Sequence, residues 1–410
     1  MAKLFIEDLQ LSGKRVLMRV DFNVPLKDGV VEDDKRIRAA VPSIKYALDK
    51  GASVVLMSHL GRPDGQKIAK YSLKPVAVAL EKILGRPIKF LDDCVGPAVE
   101  ATCASLKAGE VVLLENLRFH IEEEGKIKNK DGTSVKADPA NVEAFRASLT
   151  KLGDVFVNDA FGTAHRAHSS MVGVNLQRAS GYLLKKELDF LGDAVKTPKK
   201  PFVAIIGGAK ISGKIDVISA LLPLVDKLII GGGMAFTFHK ARGYEIGISL
   251  CEDDKVPLAK ELLAKAGDKI VLPDDCVVTP TVDFGARTIG ATKIVKVTEI
   301  PVDEEGCDIG PITIEKFKGI LKTAKTVLWN GPMGIFEIEE TAKGTSAIAN
   351  MLAEITATGA VTIIGGGDSA SAIAKAGLEE KVTHVSTGGG ASLEFLEGKE
   401  LPGVVALTDK

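Results

Sequence analysis

The chain has 410 residues, more than one hydrophobic core ordinarily serves, so two domains are expected. Its 45% apolar and 26% charged residues are those of a globular protein, and a net charge of -1 leaves no overall field drawing it to nucleic acid or a membrane, so any anion site has to be built locally. The five cysteines (Cys94, Cys103, Cys251, Cys276, Cys307) are odd in number and never spaced C-x-x-C, the first ten residues hold no apolar leader, and no apolar run nears the ~18 residues of a membrane span; together these exclude a disulfide framework, a structural zinc site and a membrane anchor, and make the expected location cytoplasmic.

In chain order, Arg15–Val20 reads as a strand, residues 34–50 as an amphipathic helix, Ser53–Met57 as a strand and 73–84 as a helix. Val111–Leu114 reads as a strand, 142–152 as a helix and 155–157 as a strand. Between them, residues 122–138 carry three consecutive glutamates, Gly125, Gly132 and several lysines, and read as a solvated surface loop. A helix over 185–194 and a polar turn over 196–201 mark the connection between the halves. Beyond it, Phe202–Ile206, Lys227–Ile230, 269–272, 326–329 and 361–364 are nearly continuous apolar runs, as in strands covered on both faces. Strands alternating with helices in both halves predict right-handed βαβ units around parallel sheets, an α/β fold.

In open parallel sheets ligands bind beyond the carboxyl ends of the strands, so the residues that follow each strand carry the functional reading. In the first half these are Asp21-Phe22-Asn23, then His59-Leu60-Gly61-Arg62-Pro63, then Asn116-Leu117-Arg118-Phe119-His120, then Gly162-Thr163-Ala164-His165-Arg166-Ala167-His168. Any one of these arginines alone would more often be a surface salt-bridge partner. Guanidinium groups at equivalent positions on several strands instead suggest a small ligand with several negative charges, because each offers a bidentate fork to phosphate or carboxylate.

In the second half the same positions are rich in glycine: Gly207-Gly208-Ala209-Lys210-Ile211-Ser212-Gly213-Lys214, then Gly231-Gly232-Gly233, then Asn330-Gly331-Pro332, then Gly365-Gly366-Gly367-Asp368-Ser369. Backbone N–H groups at such turns, with a helix dipole behind them, suit nucleotide phosphates. The first string has P-loop spacing, but Ile215 stands where the Mg-holding hydroxyl belongs, which disfavours a P-loop NTPase. The last fits G-x-G-x-x-A, which would make the chain a nicotinamide-dependent dehydrogenase; yet about 20 residues on, where that fold wants an acid for the ribose, stand Thr387-Gly388-Gly389-Gly390. Asp368 reads better as a Mg partner, since Mg binds through one or two carboxylates plus phosphate oxygens. His165 and His168 share a loop, but no third histidine and no acid nearby in sequence completes a zinc sphere. Phosphoryl transfer needs neither a nucleophile nor zinc, because positioning and charge neutralisation supply most of its catalysis.

Taken together, Arg19-Val20-Asp21-Phe22-Asn23-Val24-Pro25, Ser58-His59-Leu60-Gly61-Arg62-Pro63, Glu115-Asn116-Leu117-Arg118-Phe119, Asn158-Asp159-Ala160-Phe161-Gly162-Thr163-Ala164-His165-Arg166, Gly207-Gly208-Ala209-Lys210, Trp329-Asn330-Gly331-Pro332-Met333-Gly334 and Gly365-Gly366-Gly367-Asp368 resemble the phosphoglycerate kinase family, in its order and over essentially the whole chain. The resemblance implies reversible phosphoryl transfer between 1,3-bisphosphoglycerate with ADP and 3-phosphoglycerate with ATP, using Mg2+, by direct in-line attack and hinge closure. It implies two Rossmann-like domains: a glycerate domain over 1–184 to which 392–410 return, an interdomain helix and hinge over 185–200, and a nucleotide domain over 201–391. Glycerate contacts carried over from the family fall on Asp21, Asn23, Arg36, His59, Arg62, Arg118 and Arg166. Nucleotide contacts fall on Gly207, Gly208, Lys214, Gly232, Asn330, Pro332, Glu337, Gly366, Gly367, Asp368 and Ser369, with Asp368 on the metal. Arg36 and Lys210 fall beside the transferring group as catalytic charges. Ser369 stands where many members have Thr, which keeps a hydroxyl. The expected partners are these small molecules alone, with no nucleic acid or membrane, acting on a monomer; an inactive scaffold relative is a further alternative, against which the full set of arginines and lysines argues.

Overall fold

The computed structural model describes residues 2–128 and 131–410. The chain divides into two units, one running to Leu188 and joined by Glu400–Lys410, the other Asp189–Lys399.

The first unit is built on a six-stranded parallel sheet in the order Arg178–Ser180, Val155–Asp159, Arg15–Val20, Ser53–Met57, Val111–Leu114, Lys89–Leu91. Its four inner strands are almost wholly buried, which is why they read as apolar runs. The chain starts in the middle of this sheet, winds outward to one edge and returns to the other side at Val155–Asp159. The ends of the central strands therefore open onto the crevice where such sheets bind ligands. Helices Lys35–Asp49, Lys74–Leu84 and Pro139–Lys151 cover it. The last begins three residues before the expected 142 because Asp138 caps it, accepting from the N–H groups of Ala140 and Asn141, with Pro139 in the first turn.

Residues 122–138 depart from the expected loop. The helical turn Ile121–Glu124 ends at Gly125, whose φ of 71° favours glycine, and the exposed strands Lys126–Lys128 and Ser134–Lys136 pair as a hairpin. Glu123, in the middle of the acidic run, is only 1% exposed, so this part of the segment is not solvated. Asn129 and Lys130 of the same expected loop lie outside the described residues.

The second unit repeats the plan with strands in the order Ile270–Val271, Lys227–Ile230, Phe202–Ile206, Thr326–Asn330, Val361–Gly365, His384–Val385, all parallel. Its order reverses at Phe202–Ile206, which puts Gly207 beside the end of Thr326–Asn330. A three-stranded antiparallel sheet of Lys293–Lys296, Asp275–Thr279 and Glu305–Ile309 is added to it. Two parallel α/β units are thus the architecture expected from the sequence. Helix Tyr182–Lys196 is longer than 185–194, and the division between the units falls inside it. Residues 392–399 stay with the second unit, where helix Gly390–Leu396 packs on Ile215–Leu221. From Glu400 the chain rejoins the first unit, pairing Leu4 N–H with Thr408 O at 2.8 Å. Among the described residues no helix is long and apolar enough to cross a membrane.

Candidate active site

In the first unit three loops are tied into one edge by the residues singled out from the sequence. Arg36, in the first turn of Lys35–Asp49, donates to Asp21 Oδ2 at 2.9 Å and to Asn23 O at 3.4 Å. Asn23 Oδ1 accepts from Gly61 N at 2.9 Å, which joins the loop after Arg15–Val20 to the one after Ser53–Met57. Gly61 O accepts from Arg118 Nη1 at 2.9 Å, which joins that loop to the third. A side chain at Gly61 would meet the Tyr71 ring at 2.4 Å, and its φ of 62° already favours glycine, so this close approach depends on the missing Cβ. Arg118 also lies 3.4 Å from Glu124 Oε1. Arg62 and Arg166 are exposed, and neither makes an ion pair within 4 Å among the described residues. His59 is buried.

The electrostatics of this edge follow from its cations. The His59 pKa lies well below the ordinary histidine value, first through burial and then through Arg118, Arg19, His168 and Arg36. That of His168 is pushed down to about 3 by burial and then by Arg118, Arg19, Arg166 and His165. Both imidazoles are therefore neutral at physiological pH, and the positive charge rests with the arginines, in a form that suits a polyanion. Against the sequence reading, His168 does have acids nearby: Glu123 Oε1 at 3.9 Å and Glu124 Oε1 at 3.7 Å, brought in from another segment.

In the second unit the glycines act differently from expectation. The N–H groups of Gly207, Gly208 and Gly232 donate to the carbonyls of Asn330, Pro332 and Met333 at 2.9, 3.1 and 3.0 Å, so they are not free to cradle a phosphate. Their role is steric: a Cβ at Gly207 would lie 2.1 Å from Pro332 O, and one at Gly232 2.6 Å from Gly208 N. The first turn of helix Gly367–Lys375 offers backbone donors to an anion, since the first N–H groups of a helix have no partner within it. Asp368 sits in that turn, exposed and making no ion pair within 4 Å among the described residues. Gly366 precedes it with φ 83°. Ser369 Oγ accepts from Gly331 N at 2.5 Å, so its hydroxyl holds the Asn330-Gly331-Pro332 turn.

Lys214 donates to Asn330 Oδ1, and burial lowers its pKa against the opposing pull of Asp368 and Glu397. Asn330 Nδ2 is buried and has no hydrogen-bond partner among the described residues, a donor waiting for an acceptor beside Gly366. Lys210 is exposed. Next to these groups opens a mostly apolar cavity of about 210 Å³, whose lining includes Gly208, Gly232, Pro332, Glu337 and Asp368. Phe236 and Leu250 line it too, without any mark in the sequence, because apolar residues on a helix or loop look alike whether they face a core or a ligand.

The phosphoglycerate kinase family model matches residues 6–399. The chain is 56% identical over 414 residues to phosphoglycerate kinase 1 of Homo sapiens, covering 99% of each. It is also 56% identical to phosphoglycerate kinase of Chloroherpeton thalassium over the full length of both. The chain belongs to the phosphoglycerate kinase family. Its fold agrees: the structure of phosphoglycerate kinase from Coxiella burnetii superposes with a TM-score of 0.84 at 37% identity, covering 99% of this chain and 98% of that one. As a phosphoglycerate kinase family member, the chain is a glycolytic phosphotransferase with a carboxyl group as acceptor and with ATP and ADP as substrates. In this member, Arg19, Glu123 and Ser170 of the first unit have no role in the sequence reading, yet they are buried and joined by hydrogen bonds.

Proposed function

We propose that the two units divide the substrates, with 3-phosphoglycerate or 1,3-bisphosphoglycerate on the first and ADP or ATP on the second. The observation that carries this reading is the contrast between the two strand-end sites. One gathers Arg36, Arg118 and a neutral His59 around loops tied by Asn23 and Gly61; the other pairs an apolar cavity with Lys214, Asn330 and an open helix N-terminus. The first suits a small polyanion and the second a base with phosphates. Arg62 and Arg166 add exposed charge to the first site, and Asp21 and Asn23 hold Arg36 in place.

The donor set of the second site fits Mg2+ in the manner of nucleotide sites: one unpaired, exposed carboxylate, Asp368, with the remaining oxygens to come from phosphates. Bound there, the ion would neutralise charge on the phosphates. The chain's own groups do the rest. Arg36 from one unit and Lys210 from the other flank the transferring group, and the first turn of Gly367–Lys375 presents N–H groups to the nucleotide phosphates. A carboxylate oxygen of the glycerate attacks the γ-phosphorus directly as the bond from that phosphorus to the β,γ-bridging oxygen breaks and ADP leaves; the carboxylate has no proton to lose, so no general base is needed. The two substrates start on different units, and reacting atoms must come within about 3 to 3.5 Å, so a hinge over 185–200 closes one unit toward the other. The near-zero net charge gives no overall pull toward nucleic acid or a membrane, which leaves small molecules as the partners of a cytoplasmic monomer.

Arg62→Ala is expected to weaken 3-phosphoglycerate binding roughly ten- to hundredfold, the worth of a charge-assisted contact, with Mg-ADP affinity unchanged. Calorimetry with each ligand alone makes the check. Equal loss of both affinities would mean that the units do not divide the substrates.

A further inference from the structure

Behind the exposed arginines of the first unit lies a layer that the proposed reaction does not use. Arg19, in the strand Arg15–Val20, has no exposed surface, and a guanidinium so buried has to place its donors on fixed acceptors. Nε donates to Ser170 Oγ at 2.9 Å, Nη1 to Val20 O, and Nη2 to His59 Nδ1 at 3.2 Å. Ser170 passes the contact on: its hydroxyl donates to Glu123 Oε1 at 2.6 Å and its N–H to Oε2 at 2.9 Å. Glu123 balances the charge of Arg19 within the interior, so strand, helical turn Ile121–Glu124 and helical turn Ser169–Val172 form one linked set.

This geometry dictates the state of His59. A guanidinium can only donate, so the nitrogen facing Arg19 must be the lone-pair nitrogen. In the neutral ring the proton then sits on Nε2, which meets no hydrogen-bond partner among the described residues. We propose that Arg19, braced by Ser170 and Glu123, is a positioning residue that holds His59 as its Nε2–H form, with the ring aimed to donate a hydrogen bond to an anionic oxygen of the phosphorylated glycerate. The proposal rests on the assignment of His59 to that substrate. A protonated ring would also offer a donor, but with Arg118, Arg19 and Arg36 acting on it a fourth positive charge is disfavoured, and His168 brings none. Without Arg19 the ring is free to turn and present an acceptor, which repels an oxyanion.

The test is nitrogen-15 NMR of the histidine rings in the full chain, with the His59 signals identified by their loss in His59→Gln. In the unchanged protein, His59 at pH 7 is expected to show an acceptor Nδ1 and a protonated Nε2. Arg19→Met combined with Glu123→Gln removes donor and buried opposite charge together. It should convert this pattern to mixed tautomers or to a titrating ring, and weaken 3-phosphoglycerate about five- to tenfold with Mg-ADP affinity unchanged. Ser170→Ala, a milder change that removes only the bridge, should move both readouts in the same direction. A glutamine amide donates whatever its neighbour, so in the His59→Gln background the same pair of changes should alter 3-phosphoglycerate affinity by less than about twofold. An unchanged Nε2–H pattern, or an equal loss of affinity in that background, overturns the positioning role. If His59→Ala leaves 3-phosphoglycerate affinity intact, the substrate assignment of His59 fails instead, and the proposal with it.

Discussion

Arg36→Ala is expected to lower kcat by roughly 10³-fold or more while KM for 3-phosphoglycerate rises far less, on the scale of charge-stabilising arginines in other phosphoryl-transfer enzymes. The expectation follows from how the side chain is held. One guanidinium nitrogen is fixed on Asp21 at 2.9 Å and reaches Asn23 O, so the group is oriented before any ligand arrives and its remaining donors are left for a partner. Asp21 is almost buried, and removing Arg36 also leaves that carboxylate beside the place where negative charge gathers, which adds to the loss. Arg36→Lys keeps the charge but not the fork, and is expected to recover only part of the rate. Steady-state kinetics separates the two parameters. A steep rise in KM with kcat held would make Arg36 a binding residue alone.

Asp368→Ala is the second large effect, an expected fall in kcat of at least roughly 10²-fold together with a higher Mg2+ concentration at half-maximal rate. The carboxylate is exposed in the first turn of Gly367–Lys375 and lines the cavity, and among the described residues it has no ion-pair partner within 4 Å that would give it a purely structural role. Burial lowers the Lys214 pKa and the Asp368 charge opposes it, so the neutral replacement lowers that pKa further. Asp368→Asn keeps the size and removes the charge, and should behave like the alanine variant. Rates measured across a Mg2+ titration decide the matter, and wild-type activity with wild-type Mg2+ dependence would take Asp368 out of the site.

What could be read from the sequence follows from where each residue stands. Asp21, His59, Arg62 and Arg118 stand within five residues of the ends of apolar runs, so reading those runs as strands of one parallel sheet assigns them to one edge. The edge strands Lys89–Leu91 and His384–Val385, three and two residues long, are too short to show any period. Glu123 was hidden by its neighbours: in a run of three glutamates nothing marks the one that turns inward, and only its contact with Ser170, 47 positions away, explains it. Arg19 was hidden by the opposite effect, a charge inside an apolar strand whose partners lie in distant loops. The glycines were legible as a cluster but not in their role, because steric need at Gly207 and Gly232 and anion binding leave the same trace in sequence.

Two substrates bound on separate units, as proposed, react only when these are brought together. Small-angle X-ray scattering tests this most directly, on the free chain, with 3-phosphoglycerate alone, with a nonreactive Mg-ATP analogue alone, and with both, occupancy being confirmed by calorimetry. If each ligand touches one unit only, as proposed, neither alone gives full closure. The radius of gyration should be smallest with both bound. An identical radius of gyration in the free and doubly occupied states would contradict the account.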